Sequence, residues 1–369
     1  MTDIVNPRQA GIITSILIMG SKLLILPSLL FWQVKNGAIF LIVFMFIFEF
    51  VMMYFFLKIK QKFHPLSFYQ ILEISIGKFF AKLIYSLIII FLFFKFMYTF
   101  FESYNFLKEL VFEDAEIFLF ILCVLPVVSA LAYMGLKSYA RTVQIFFWFI
   151  IFGLIVSTSI SYLVDTSSFP VIDFNLNFIP KSFNVIFWFG DFLFLLLFFD
   201  KIKPERNYGN IILRYVLITM IIVLCFYFTY YSLFSYTPFL HYFAISDLVQ
   251  FNVFLGDVWK LDFVALFTIM FLLYFELGFY LYAFCEGLNK IFTPMKKYYS
   301  IFIFNFFVLC YVYFARLNLD FIIDNALNYL NVLALICLVA VPLILLVIYF
   351  VNRKKYRRKY AKIFKKFNS

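Results

Sequence analysis

The sequence predicts an all-α polytopic membrane protein of ten transmembrane helices, arranged as two sets of five. Three observations carry the prediction. The 369 residues are 65% hydrophobic and only 14% charged, against roughly 45–50% and 25% in an ordinary soluble domain. Ten apolar runs approach the length of about 20 residues that crosses a hydrocarbon core about 30 Å thick. The Lys and Arg residues between the runs alternate between rich and poor loops, as the positive-inside rule requires.

The runs cover 9–31, 37–57, 79–101, 117–135, 143–164, 183–200, 211–235, 262–285, 299–315 and 327–351. The first carries Gly20, Ser21 and Lys22 near its middle, in "LIMGSKLLILP", and is read as an interrupted helix. The second contains Glu49. The third places Lys95, Tyr98 and Glu102 on one helical face by their i, i+3, i+7 spacing. The fifth carries Ser157, Thr158, Ser159 and Ser161, which either coordinate an ion or bond back to their own helix. The sixth is interrupted by Gly190 and Asp191, the seventh and ninth are plain spans, the eighth contains Glu276, and the tenth contains a proline.

With ten spans both termini share a side. The tail "RKKYRRKYAKIFKK" holds nine basic residues, which makes that side cytoplasmic. The loops on that side carry Lys58, Lys60, Lys62, Lys78 and Lys82, then Lys137 and Arg141, then Lys201, Lys203, Arg206 and Arg214, then Lys290, Lys296 and Lys297. The opposite loops hold Lys35, Lys108, Lys181, Lys260 and Arg316 only, so with Arg8 and the tail counted on the inner side 24 basic residues stand against five. Two outer loops, 165–182 and 236–261, contain Pro170, Pro180 and Pro238 and are too long for simple turns. The stretch "PFLHYFAISDLVQFNVFLGDVW" reads as an amphipathic surface helix or a gate.

The expected organisation is one transmembrane domain over 1–352, with repeat one at about 9–164 and repeat two at about 183–351. A basic cytoplasmic tail follows at 353–369. Its charge, within a chain of net +11, is read as attraction to anionic lipid headgroups immediately after a span, not as nucleic-acid binding. Cys123, Cys225, Cys285, Cys310 and Cys337 fall in apolar runs without a CxxC spacing and read as small hydrophobes. No basic n-region with a small-residue cleavage site opens the chain, so no removable signal peptide is expected. The 59 Phe and 26 Tyr residues are given no function as a class.

The two interruptions occupy the first position of each set of five. Gly-interrupted helices at matching positions mark the binding site of inverted-repeat transporters. An unwound turn exposes N–H and C=O groups that lipid cannot satisfy, so it survives only where it lines a protein-walled site. Lys22, Glu49, Lys95, Asp191 and Glu276 are all expected to pair or to face such a site, since each costs about 2.5–3.5 kcal/mol in a helix centre. The bland readings are specific. Glu49 and Glu276 serve equally well as packing ion pairs, Lys95 snorkels to the outer interface, and Gly190 permits close helix packing. His64 and His241 are the only histidines, and HExxH, GxSxG, a phosphate-cradling Gly loop and Cys/His metal spacing are all missing. No enzyme, cofactor or metal site is expected.

The stretch "FHPLSFYQILEISIGKFFAKLIY" resembles the segment after helix 2 in the spore germinant receptor B-subunit family. That segment reads Phe-Pro, a Thr/Ser, an aromatic-Glu-like pair, Ile-Leu-Gly-Lys and Gly/Ala-Lys. The matching positions are His64-Pro65, Ser67, Tyr69-Gln70, Ile76-Gly77-Lys78 and Ala81-Lys82. Gln9 with the Gly-containing helix reaching "LILP", "FGDFLFLLLFFDKIK" and "LVAVPLILLVIYFVNRKK" are also similar, so the resemblance covers essentially the whole chain. It implies membership of the amino acid–polyamine–organocation transporter superfamily, with a LeuT-like five-plus-five inverted repeat and broken helices 1 and 6.

The resemblance further implies a nutrient-sensing subunit in the cell membrane, or the inner membrane of a spore, partnered by an A-subunit and a lipoprotein C-subunit. The implied ligand is a small nutrient such as an amino acid. A secondary amino acid transporter shares the same architecture. Lys22 and Asp191 depart from the family pattern. They either form a salt bridge that closes the empty site or contact a ligand carboxylate and amine. The expected ligand set is Gly20, Ser21 and Lys22 toward a carboxylate, and Phe189, Gly190 and Asp191 toward an amine. Tyr98 and Glu276 are expected to form the wall.

Overall fold

The computed structural model describes residues 3–63, 66–110, 116–159, 178–205, 207–234, 237–241, 243–250, 261–292, 295–317 and 329–351. Its first helix, α1 (Pro7–Met19), begins with Pro7 in the first turn, where a missing N–H costs nothing. The Asn6 N–H donates to Gln9 Oε1 across that turn (3.1 Å). A 3-10 turn at Ser21–Leu23 follows, then α2 (Leu26–Val34). The axes on either side of this break differ by 58°.

The long spans come next. They are α3 (Ala38–Phe63), α5 (Lys78–Leu110), α6 (Ile117–Tyr133) and α7 (Leu136–Ser159). Between α3 and α5 lies a feature absent from the sequence reading, which had only a loop there: α4 (Phe68–Ile76). It starts with a complete capping box. The Gln70 N–H donates to Ser67 Oγ (3.3 Å) and the Ser67 N–H donates to Gln70 Oε1 (2.9 Å). Gly77, at φ +92°, turns the chain from α4 into α5, a conformation that a side chain disfavours.

The sixth predicted span is not one helix. It consists of the single turn α8 (Phe178–Lys181), a 3-10 segment Ser182–Trp188, the extended Phe189 and Gly190, and the six-residue α9 (Phe192–Leu197). After it come α10 (Tyr208–Phe234), α11 (Ala244–Gln250), α12 (Leu261–Ile291), α13 (Lys297–Leu317) and α14 (329–351), the last with a π turn at Ile336–Ala340. Of the surface stretch expected after residue 236, the described residues form a 3-10 turn at Pro238–Leu240 and α11, and 251–260 lie outside the described residues. So do Ser161, Pro170, the His64-Pro65 pair and the basic tail.

Among the described residues, seven helices are long and apolar enough to cross a membrane, and eight when the bent α1–α2 pair is one span. α6 is apolar but has 17 residues. α6, α7 and α13 expose large apolar side chains (Leu122, Ile145, Trp148 and Phe302), a surface suited to lipid and not to water. The chain is a multi-pass membrane protein. α12 is its central post: its most apolar stretch is 78% buried, against 28% for α13. α12 runs beside α5, α6 and α7, while α1 lies along α10 and α7 and α3 lies against α9 and α10. Both breaks therefore sit inside a cage of spans.

Candidate functional site

Each break contains a glycine, for a different local reason. The last backbone bond of α1 runs from the Gly20 N–H to the Ile16 carbonyl (2.9 Å). The chain then leaves the helical path at Gly20 (φ −27°, ψ −111°) and is redirected into α2 by Leu24 (φ −93°, ψ −99°). The polar backbone groups released there need partners, because lipid offers none. Other helices supply them. The Ser21 N–H donates to Glu276 Oε2 of α12 (3.0 Å). The Tyr227 and Tyr231 hydroxyls of α10 donate to the Lys22 and Pro27 carbonyls, both at 2.8 Å. The Ala244 N–H, at the start of α11, donates to the Leu24 carbonyl (3.1 Å).

Gly20 is held to a glycine by sterics. A Cβ there would lie 1.8 Å from Glu276 Oε2, so the carboxylate rests directly on the backbone. In the second break the Asp191 N–H donates to Glu49 Oε1 of α3 (3.1 Å), and the Phe187 N–H donates to Asn331 Oδ1 of α14 (3.1 Å). A Cβ on Gly190 would meet Leu338 Cδ2 at 2.9 Å and Phe91 Cζ at 3.3 Å. This glycine lets α5 and α14 close on the break.

The two breaks meet through charge. Lys22 Nζ is bonded to Asp191 Oδ2, and Lys95 Nζ lies 3.0 Å from Asp191 Oδ1. Lys22 Nζ is also 3.9 Å from Glu49 Oε2, and none of these four side chains is more than 3% exposed. Lys95 makes a further long bond to the Trp188 carbonyl (3.4 Å). Aromatic rings surround the cations: Phe189 is 5.4 Å from the Lys22 ammonium, and Phe187 and Phe194 are 5.8 and 5.6 Å from that of Lys95. Glu276 accepts from the Tyr280 hydroxyl on its other oxygen. The result is a dry set of exchangeable ionic contacts, in which an incoming charged group gains only by replacing one already made.

Gly20, Ser21, Lys22, Asp191 and Glu276 thus come together, with Phe189 against Lys22 and Gly190 in the packing behind them. Tyr98 stands beside this cluster, its ring edge-on to Phe187 and Trp188 at 5.3 and 5.2 Å. Lys95 differs from the snorkelling expectation: it is 2% exposed and points inward, held by Asp191. Glu49 joins the same cluster. Ser157 and Thr158 bond back to the Gly153 and Leu154 carbonyls (2.8 and 2.9 Å), as the bland reading had it.

The residues that sequence reasoning missed are Tyr227, Tyr231, Tyr280 and Trp188. The i, i+4 pair Tyr227/Tyr231 carried a signal for one helical face, but in a chain with 26 tyrosines nothing marked these as donors to a break. A family model described as spore germination protein matches residues 4–319. No curated protein matches the chain.

Proposed function

The chain belongs to the spore germination protein family, and from that premise we propose that it is the nutrient-binding, permease-like membrane subunit of a spore germinant receptor. The observation that carries this reading is the Lys22–Asp191 contact, which ties the α1–α2 break to the break before α9 inside the span cage. In this reading the chain has ten spans, with α6 as the fourth and residues 178–201 as the sixth, in a LeuT-like five-plus-five arrangement. Both termini are cytoplasmic and the membrane is the inner membrane of the spore. The ligand is a small nutrient such as an amino acid.

In this reading the Lys22–Asp191 salt bridge closes the site. A ligand carboxylate competes for Gly20, Ser21 and Lys22, and a ligand amine competes at Phe189, Gly190 and Asp191, with Tyr98 and Glu276 as wall. Tighter binding to the state in which the bridge has parted shifts the population toward it, by no more than the difference in affinity between the two states. The shift is passed to partner subunits, an A-subunit and a lipoprotein C-subunit, without turnover.

A second reading is proton- or cation-coupled amino acid transport. It is favoured by the Lys22 ammonium, which occupies the junction of the breaks where a bound cation would otherwise stand. Uptake of a radiolabelled amino-acid mixture into liposomes holding the purified protein, run beside ligand-induced thermal shift, separates the two. Binding without uptake supports the receptor. Uptake that is lost in Asp191→Asn makes the protein a transporter.

A further inference from the structure

Two lysines and two carboxylates balance at the centre of the site: Lys22 and Lys95 share Asp191, and Lys22 stands 3.9 Å from Glu49. Two further carboxylates are buried beside them without such balance. Glu276, fully buried, receives only neutral donors, the Ser21 N–H and the Tyr280 hydroxyl. Glu102, two turns beyond Lys95 on α5, is 2% exposed, and among the described residues neither of its oxygens meets a donor at full hydrogen-bond geometry, with the Ile25 backbone acting on it more loosely. Among the described residues, no cation lies within 4.0 Å of Glu102 or Glu276.

The surroundings place Glu102 at the first break. The charge that acts on it most is that of Glu276, with Lys95 weaker and the Ile25 backbone also in reach. It acts in turn on Tyr227, which holds the Lys22 carbonyl, and on Tyr280, which holds Glu276. A carboxylate buried with no donor is far more costly than one hydrogen bond repays, so this position is incomplete without a cationic guest or a proton.

A second unsatisfied group lies nearby. The indole Nε1 of Trp188, a residue 1% exposed, has no acceptor among the described residues. Its ring stands edge-on to Tyr98, one turn before Glu102 on the same face of α5. Buried acceptors without a donor and a buried donor without an acceptor, close to one another, are what a small ligand with both kinds of group would complete.

We propose that Glu102, with Glu276 beside it, is the subsite for a protonated amine of the ligand, and that the Trp188 indole donates to an acceptor group on the same molecule. An ammonium has three donors. Glu102 offers two unoccupied oxygens, and each Glu276 oxygen, with one donor already, keeps a lone pair. The inference rests on the breaks being a ligand site and extends its amine side: Asp191 already serves two ammonium groups, so Glu102 on α5 and Glu276 on α12 hold the ligand amine beside the break before α9.

The test uses the full-length protein in lipid nanodiscs, titrated at constant ionic strength with butylammonium chloride, sodium chloride and sodium butyrate. Wild type and Glu102→Gln are followed by their thermal unfolding midpoints. Glutamine keeps the shape and removes a buried charge, and its own midpoint without probe shows that it folds. The expected result is a rise of a few degrees with butylammonium in wild type, no rise with the two sodium salts, and loss of the rise in Glu102→Gln.

An equal rise with sodium chloride would overturn the amine subsite in favour of an inorganic-cation site. A butylammonium effect that persists in Glu102→Gln would overturn it too. If no probe shifts wild type while Glu102→Gln alone is more stable, the carboxyl carries a proton and no amine is bound. An amino-acid mixture is titrated on the same samples. Stabilisation of both proteins by the mixture keeps the ligand reading and removes the Glu102 subsite, whereas silence to the mixture and to butylammonium removes both.

Discussion

The Lys22 ammonium and the Asp191 carboxylate, 169 residues apart in the chain, meet in one salt bridge that joins the two helix breaks. Lys95 holds the other oxygen of Asp191, so a single carboxylate neutralises two buried cations with help from Glu49. The bridge couples α1–α2 to the segment before α9. Parting it requires both breaks to move or a guest to take its place.

Removing that carboxylate leaves two ammonium groups in a dry interior. Asp191→Asn is expected to destabilise the protein by about 3–5 kcal/mol, the cost of breaking a buried pair from one side. The double variant Lys22→Met/Asp191→Asn removes one orphan charge and should be more stable than Asp191→Asn alone. Chemical unfolding of the four proteins of the cycle in detergent measures the coupling. Additive effects would mean that the two side chains do not interact.

Gly20→Ala drives a methyl into the Glu276 carboxylate, which must leave the Ser21 N–H. The expected cost is about 1–3 kcal/mol from overpacking, together with loss of ligand response. Gly20→Ala/Glu276→Ala restores the space and should recover folded yield without recovering response. Recovery of neither yield nor midpoint would show that the backbone angle at Gly20, and not the carboxylate, is what excludes alanine.

Tyr227→Phe leaves the Lys22 carbonyl without its donor, whereas Tyr231→Phe removes a second donor from the Pro27 carbonyl inside α2. The first is expected to lower stability by about 1–3 kcal/mol, the penalty for one orphaned buried group, and the second by about 0.5–1.5 kcal/mol, the net worth of one hydrogen bond. Tyr227→Phe should weaken ligand binding more than Tyr231→Phe, because Lys22 belongs to the break and Pro27 lies inside α2. Isothermal titration with the cognate nutrient on both variants checks the order.

Outside the long spans, His241 Nδ1 lies 3.6 Å from Asp247 Oδ2. Burial pushes the Asp247 carboxyl up from 3.8 to about 6, with the Glu109 carboxylate adding to it, and burial holds the His241 imidazole below its ordinary range. The folded state therefore binds the Asp247 proton more tightly than the unfolded state does. That contribution is complete below about pH 4 and is lost as the pH rises through about 6. His241 acts in the opposite direction, its contribution being complete above pH 6.5 and lost as the pH falls below that through its lowered folded value. Asp247→Asn should flatten the decline between about pH 4 and 6 and raise the midpoint at neutral pH by a few degrees, as read by thermal unfolding across that interval.

The long spans were legible because lipid imposes length and apolarity on them, and both breaks were legible because Gly20-Ser21-Lys22 and Gly190-Asp191 violate that rule at midspan. What stayed hidden depends on rotation about helix axes. Lys95 reads as an interfacial snorkel by its depth in the third run, yet its face of α5 turns toward Asp191. Tyr227, Tyr231 and Tyr280 look like any of the other tyrosines until the unpaired carbonyls and the carboxylate they serve are located. α4 escaped because its nine residues follow a proline and precede a glycine, and the Ser67–Gln70 capping box that nucleates it is a local signal easily taken for loop. Gly190 carried two readings, and Leu338 and Phe91 press against it from elements that no spacing in the sequence connects.

The central claim is that the Lys22–Asp191 junction is where the nutrient binds. Its most direct test is the nutrient-induced rise in unfolding midpoint of the protein in lipid nanodiscs, measured for wild type, Lys22→Ala and Asp191→Asn after each variant is shown to be folded without ligand. The account predicts a rise in wild type that is lost in both variants. A rise of undiminished size in both would place the ligand elsewhere and reduce the junction to a packing contact.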